Sequence, residues 1–538
     1  MKKQRPPVER LEVPLAELKQ ALVRARQAPL AAEDYWKLDA AIDTLGQVTA
    51  LVGEKDATIR DLRQLLFAVS SEKTATVLKD AGVEPPPPPS QPRTKKPGHG
   101  RKAAGDYAGA RRVKILHPTL EASDPCPVCE QGKVYVQAEA KLVVRVIGQA
   151  PLAATVYEME RLRCNLCGEI FTAPSPVEAA GETSKYDATA LAMMATLRYG
   201  HGMPLNRLAA LEANLGIPLA ASTQWEEIAN LADELQPIHA ELIRLAAQGE
   251  VLHNDDTSMR VLALPRPPKE KEGQRERTGV HTSGIVSTTA VGQPIALFFT
   301  GAQHAGENLA DVLKRRAAAL GPPIQMCDAL TWNLKLPSLP AELQRLVAHC
   351  LAHGRRRFVA VAENFPEACR HVLEQLREVY AYDAKAKASA LSPEERLRFH
   401  QEHSQPVMEK LQQWLAAQFA GKLVEPNSGL GTAITYLLKH WDRLTLFLRE
   451  AGAPLDNNLC ERAIKKAILH RKNSLFYKTQ NGAQAGDLFM SLIHTAELCG
   501  ANAFDYLTEL KRHLAEAVQC PAMWMPWNYR ERLAGLKP

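Results

Sequence analysis

The chain has 538 residues, 46% hydrophobic and 23% charged, a composition that excludes a wholly disordered or fibrous protein. At roughly 100–200 residues per domain it predicts three to five folding units. No run approaches the ~20 apolar residues of a membrane helix, and no apolar core of a secretory signal follows the basic start MKKQRPPVERLEVPL. The expectation is a soluble, cytoplasmic chain with no membrane partner. Net charge is only +6, from 66 Lys and Arg against 60 Asp and Glu.

Residues 1–80 read as a helical segment. Leu38, Leu45, Val52, Ile59 and Leu66 recur every seven residues, while the companion seam Tyr35, Ile42, Thr49, Asp56, Arg63 is apolar only at its start. That pattern fits a self-associating coiled coil or a helical hairpin packed on its own chain. Residues 81–113 form a linker, because Glu84-Pro-Pro-Pro-Pro-Pro-Ser90 excludes helix. Between Gln91 and Lys114, the eight bases Arg93, Lys95, Lys96, Arg101, Lys102, Arg111, Arg112 and Lys114 meet one acid, Asp106, so the stretch carries +7. It suits DNA phosphates or serves as a solvated spacer.

Residues 114–175 carry β-like runs (Lys133–Val136, Leu142–Ile147) and two cysteine pairs, Cys126/Cys129 and Cys164/Cys167. Two CxxC turns can complete a tetrahedral site, so this module is expected to hold one structural Zn²⁺. The other six cysteines read as ordinary buried residues. Residues 180–248 read as helices broken at Gly202–Pro204 and Gly216–Pro218, a helical DNA-binding region with a weak helix-turn-helix signal. From Glu250 the texture becomes strand-like at Glu250–His253, Gly284–Thr288, Ile295–Phe299 and Ile324–Asp328. Helix patterning follows over about 363–450, where Ser392-Pro393-Glu394-Glu395 is a helix start. A C-terminal helix and tail occupy 501–538.

Asp255 and Asp256 end one strand-like run, Asp328 ends another, and Glu461 lies in a helix-like stretch. Two strand-end aspartates and a glutamate from a facing helix can hold two Mg²⁺, or Mn²⁺, about 4 Å apart for phosphoryl displacement. Taken singly, each reads first as an acid that faces solvent, as acids at strand ends and on helices usually do. A basic and amide-rich set accompanies them: Arg355 and Arg356 in HCLAHGRRRF, Asn457, Asn458, Arg462 and Lys465 around Glu461, then Arg471 and Lys472. These are expected to contact DNA.

The segments DDT at 255–257, CDA at 327–329, CLAHGRRRF at 350–358, and above all DNNLCERAI with HRKNSLF resemble the transposase of insertion-sequence-66 type elements. The resemblance covers most of the chain. It implies a multidomain α+β protein whose core, residues 249–500, is RNase H-like with a helical insertion. It also implies a catalytic triad of Asp255, Asp328 and Glu461, and DNA as substrate. The activity implied is that of a bacterial, nucleoid-associated transposase that cuts at terminal inverted repeats and joins the ends to target DNA, as a homo-oligomer helped by small accessory proteins. The rival readings are a metal-dependent nuclease without strand transfer and an inactive DNA-binding remnant. The family motif DET is DDT here, so Asp256 stands beside the first triad position.

Overall fold

A computed structural model describes residues 20, 23–25, 31–39, 74, 77, 111–137, 142–146, 150–163, 165–167, 169–174, 185–264, 279–334 and 344–536. They belong to two units, Pro86–Ala153 and a larger one made of Met1–Pro85 with Ala154–Pro538. The expected DNA contacts Arg93, Lys95, Lys96, Arg101 and Lys102, and the heptad positions from Ile42 to Leu66, lie outside the described residues. In the first heptad, Tyr35 and Trp36 are exposed.

In the smaller unit, Pro125 and Lys133 form an antiparallel bridge. It closes the turn that carries Cys126 and Cys129. The strand expected at Lys133–Val136 is reduced to that bridge, and 142–146 is extended without a ladder. Tyr135, Val136 and Leu142 are exposed; a β-branched run becomes a strand only where another strand pairs with it, and none does among the described residues. In the larger unit, β1 (Arg161–Arg163) and β2 (Ile170–Thr172) form an antiparallel hairpin around the second cysteine turn.

Helices follow: α1 (Ala188–Ala195), α2 (Leu205–Asn214), α3 (Ala221–Glu234) and α4 (Gln236–Ala246). The expected breaks are present. Gly202 and Gly216 both take positive φ (69° and 81°), which glycine adopts without steric penalty. Next come β3 (Val251–Met259), β4 (Val280–Thr288), β5 (Pro294–Gly301), α5 (Ala305–Leu313), β6 (Ile324–Cys327), the short α6 (Thr331–Leu334) and β7 (Leu346–His349). The sheet order is β5-β4-β3-β6-β7. The first three strands form an antiparallel meander, while β6 and β7 run parallel to β3. β3 and β4 are longer than their apolar runs, because pairing with each other, not apolarity alone, sets their length.

The helical stretch begins earlier than expected, at α7 (Leu351–Val361). It continues through α8 (Pro366–Ala388), α9 (Pro393–His403), α10 (Gln405–Ala420), α11 (Gly429–Lys439) and α12 (Trp441–Leu444). Ser392 caps α9 as expected: its Oγ accepts from Glu395 N–H, and Glu395 Oε2 accepts from Ser392 N–H at 2.9 Å. These helices bury Phe358, Val372, Leu376, Leu411, Leu415 and Ile434 against Ile324, Met326 and Ala348 of the sheet.

The chain then returns through α13 (Asn458–Ser474) and α14 (Gln480–Leu498), and ends in α15 (Ala503–Arg512), α16 (Leu514–Gln519) and α17 (Tyr529–Leu536). Helix α14 covers the edge strand β5. The N–H groups of Ala296, Phe298 and Thr300 donate to Thr495 Oγ1, Ser491 Oγ and Asp487 Oδ2, at 3.1, 3.0 and 2.6 Å. Every second strand residue advances about 6.7 Å and every fourth helix residue about 6 Å, so the two rows stay in register. An edge that would invite pairing with another chain is thereby satisfied. No helix among the described residues is long and apolar enough to cross a membrane.

Candidate active site

Asp255 sits within β3, not at its end as expected. Its place is decided by register. β3 pairs with β6 through His253↔Met326, so continuing the parallel alignment brings residue 328 level with residue 255, one strand spacing away. Asp328 follows the last residue of β6. Its Oδ1 accepts from Leu330 N–H at 3.1 Å and from Asn333 Nδ2 at 2.5 Å. Buried Asn333 is tied back in turn, its carbonyl accepting from Gln325 Nε2 at 2.7 Å. The same Gln325 amide reaches Asn254 Oδ1 at 2.9 Å.

Glu461 arrives from the first turn of α13. The approach depends on Gly284, the β4 partner of Asp255. A Cβ there would lie 2.8 Å from Ile464 Cδ1 and 3.5 Å from Cys460 Sγ, so glycine lets α13 lie close on the sheet without displacing the Ile464 side chain. Asn457 fixes the helix start. Its Oδ1 accepts from His253 Nδ1 at 3.0 Å, and its Nδ2 donates to Asn254 O at 3.1 Å. That donor assignment follows from the amide geometry; burial pushes His253 down to about 4, so its ring is neutral at pH 7.

The carboxylates feel one another. Burial first, then the negative charges of Asp328, Glu461 and Asp256, push the Asp255 carboxyl up to about 7, against a bond from Asp256 N–H at 2.8 Å. Burial also raises Glu461, but the Arg356 guanidinium more than offsets it and holds the carboxyl below its ordinary value. Arg356 donates to both oxygens, at 3.2 and 2.8 Å, and His353 Nδ1 lies 3.7 Å away. Cys350 is close to the same group, but burial pushes its thiol up to about 11, so it stays neutral there. The charges of Asp328 and Glu461 reach Asp255 as a push secondary to burial, and a +2 charge beside it would relieve both; the ligand atoms within 4.8 Å of one another that include Glu461 are those of Cys350 and His353.

Asp256 faces the other way. It accepts from Ser283 Oγ at 2.7 Å, from Ala305 N–H at 3.0 Å and lies 3.0 Å from His304 Nδ1, so its side chain belongs to the α5 face.

The basic set divides. Arg462, Lys465, Lys472 and Asn458 are exposed on α13, and Arg111 and Arg112 are exposed in the smaller unit. Arg355 donates to Thr74 Oγ1 at 3.2 Å, and Arg356 is engaged by Glu461. Arg471 spends its guanidinium on β3, donating to Thr257 Oγ1 at 3.0 Å and Ser258 Oγ at 2.7 Å. Asn457 is fully buried, which corrects its expected role as a DNA contact: its amide holds the helix. The cysteine expectation is corrected at Cys520, which is exposed, and at Cys499, which is half-buried; Cys327, Cys350, Cys369 and Cys460 are buried.

At the cysteine turn of the smaller unit, Cys126 N–H donates to Gly132 O at 2.7 Å and Glu130 N–H to Cys126 O at 2.9 Å. The N–H groups of Gly132 and Gln131 and the Cys126 thiol point at Cys129 Sγ and lower its pKa. Cys167 is exposed on the turn between β1 and β2, and Cys164 lies outside the described residues.

The sequence profile described as "Transposase IS66 family" matches residues 183–485, which span α1 to the start of α14 and include Asp255, Asp256, Asp328 and Glu461. The chain belongs to the IS66 transposase family. Two relatives of this family member come from Sinorhizobium fredii. The uncharacterized protein y4hP is 25% identical over 448 residues, covering 81% of this chain and 78% of its own length. The uncharacterized protein y4jD is 24% identical over 522 residues, covering 91% and 97%. The IS66 match ends within the first turns of α14, before Asp487, Ser491 and Thr495, the residues that cap β5.

Proposed function

We propose that this IS66 family member is a DNA transposase whose RNase H-like core uses Asp255, Asp328 and Glu461 to cut element ends and join them to target DNA. One observation carries the reading. Burial, with a further push from the charges of Asp328 and Glu461, raises the carboxyl of Asp255 to about 7, which supports a shared acidic site on β3, the β6 end and α13. The strand order β5-β4-β3-β6-β7, with a three-strand meander and two parallel strands, supports an RNase H-like fold.

Asp255, Asp328 and Glu461 would hold two Mg²⁺, with Mn²⁺ as the alternative. Bound there, the ions supply Lewis-acid stabilisation of attacking and leaving oxygens and lower the pKa of a nucleophilic water. The protein's own part is positional. Asn333 and the Leu330 N–H engage one oxygen of Asp328 and so fix its orientation. Gly284 and Asn457 set the height of Glu461. Arg356, released when Glu461 turns to a cation, is placed to take a phosphate oxygen. The exposed Arg462, Lys465 and Lys472 on α13, with Asn458 at its start, offer backbone contacts along the same helix.

Cys126, Cys129, Cys164 and Cys167 would bind one structural Zn²⁺. Support comes from the paired CxxC spacing in the sequence and from the N–H groups aimed at Cys129, which stabilise a thiolate. The basic linker and the cysteine module, as DNA-binding parts, would carry the terminal inverted repeats. A homo-oligomer, with accessory proteins of the same element, would pair the two ends.

The test uses the full chain with Mg²⁺, labelled element-end duplexes and a target plasmid. Joined product supports the transposase. Cut ends without joining would reassign it as a nuclease, and intact DNA that stays bound would make it an inactive remnant.

A further inference from the structure

We propose that Asp256, His281 and His304 form a second cation site, for a late first-row divalent ion such as Zn²⁺, on the face of β3 opposite Asp255. One ligand atom from each of the three lies within 4.8 Å of the others. They come from three elements: β3, β4 and the residue that opens α5. Asp256 pairs with Ser283 in the ladder, and His281, two residues from Ser283, shares that face of the sheet. The set is half-buried and leaves one side open to solvent.

The surroundings resemble the outer support of a metal ligand. Asp256 accepts from Ser283 Oγ and Ala305 N–H, and Ser283 Oγ accepts from Asn308 Nδ2 at 2.8 Å. The carboxylate is therefore fixed before any ion arrives. The His304 ring is held between His281, 4.2 Å between centroids, and Trp332, 5.0 Å. Two imidazoles this close favour a shared cation over two separate charges. Burial, and then the proximity of His304, lowers the pKa of His281, which keeps its lone pair available for an ion. An Asp256–His304 hydrogen bond alone would leave the convergence of His281 unused.

Two imidazoles and one carboxylate are a donor set for Zn²⁺, whose ligand atoms stand roughly 3.3 Å apart in a tetrahedron; small side-chain rotations close the gap. Mg²⁺ prefers oxygen ligands, so the two faces of β3 would select different ions. The proposal does not rest on the triad.

The experiment loads the full chain with Zn²⁺, dialyses it against excess Mg²⁺, and counts retained zinc by elemental analysis. Wild type should retain one equivalent more than His281→Gln and one more than His304→Gln, with unchanged circular dichroism. Asp255→Asn should retain the wild-type amount. A Co²⁺-loaded wild type should show d–d bands of a nitrogen- and oxygen-ligated ion in addition to any thiolate bands; this reading needs no variant to fold. Equal zinc in wild type and both histidine variants, or the absence of that Co²⁺ component, would overturn the proposal. Neither readout involves DNA cleavage, so a failure here leaves the triad untouched.

Discussion

The carboxylate cleft and the cysteine turns are built in opposite ways. The cleft stands on a packed sheet, with Gly284, Asn333 and Asn457 placing each acid through contacts that exist without an ion. The cysteine turn of the smaller unit rests on one β bridge and a few backbone bonds, with Tyr135, Val136 and Val128 exposed around it. A cleft of the first kind would keep its shape without the proposed ions; a turn of the second kind would depend on the proposed zinc for its fold.

The largest break in that comparison should come from Gly284→Val. The added side chain meets Ile464 and Cys460, so α13 must rise and carry Glu461 away from Asp255. Mn²⁺ affinity and DNA cleavage should both fall, cleavage by about 10²-fold or more, as misplacement of catalytic groups does. Wild-type cleavage with an intact Mn²⁺ affinity would show that α13 does not set the site. Cys129→Ser comes next. It should release zinc and expose the 111–174 region to proteolysis, while the main thermal transition moves little. A variant that keeps its zinc, or melts as a whole, would erase the contrast between the two regions.

The smallest effect is a pH dependence. Without divalent ions, folded Asp255 holds its proton up to about 7, whereas the unfolded chain releases it near the ordinary 3.8. The contribution of Asp255 to stability should therefore fall as pH rises across that window. Buried Asp487, also pushed up to about 7 by desolvation, contributes with the same sign, whereas His253, pushed down to about 4 by burial, contributes with the opposite one. In EDTA, the melting temperature of Asp255→Asn should therefore gain on that of wild type as pH rises across the window. Parallel slopes would mean that Asp255 is not strained by its neighbours.

The elements that carry the three acids were legible, as an apolar run before each aspartate and a helix-like stretch around DNNLCERAI. What the sequence concealed was long-range register. Nothing local marks Asp255 as lying mid-strand level with Asp328, because that depends on the β3–β6 pairing. The role of Asn457 was misread for the same reason: an amide beside a catalytic acid looks like a ligand contact until its partners, His253 and Asn254, some 200 positions away, are seen. β7 was missed since its four residues merge with the basic run after them. The Asp256–His281–His304 group has no sequence spacing to betray it. The capping box at Ser392 and the glycine breaks at 202 and 216 were readable because each is settled within four residues.

The most direct measurement compares metal-dependent cleavage of an element-end duplex by Asp255→Asn and Asp256→Asn, with DNA binding measured alongside. The two residues are neighbours on one strand, but Asp255 is level with the position after β6 and feels the charges of Asp328 and Glu461, while Asp256 is bonded to Ser283, His304 and Ala305. Asp255→Asn should lose cleavage by several orders of magnitude, because it removes charge where the transition state needs it, and should still bind DNA. Asp256→Asn should retain substantial cleavage. If Asp256→Asn is the inactive variant and Asp255→Asn cuts like wild type, the triad is assigned to the wrong face of β3.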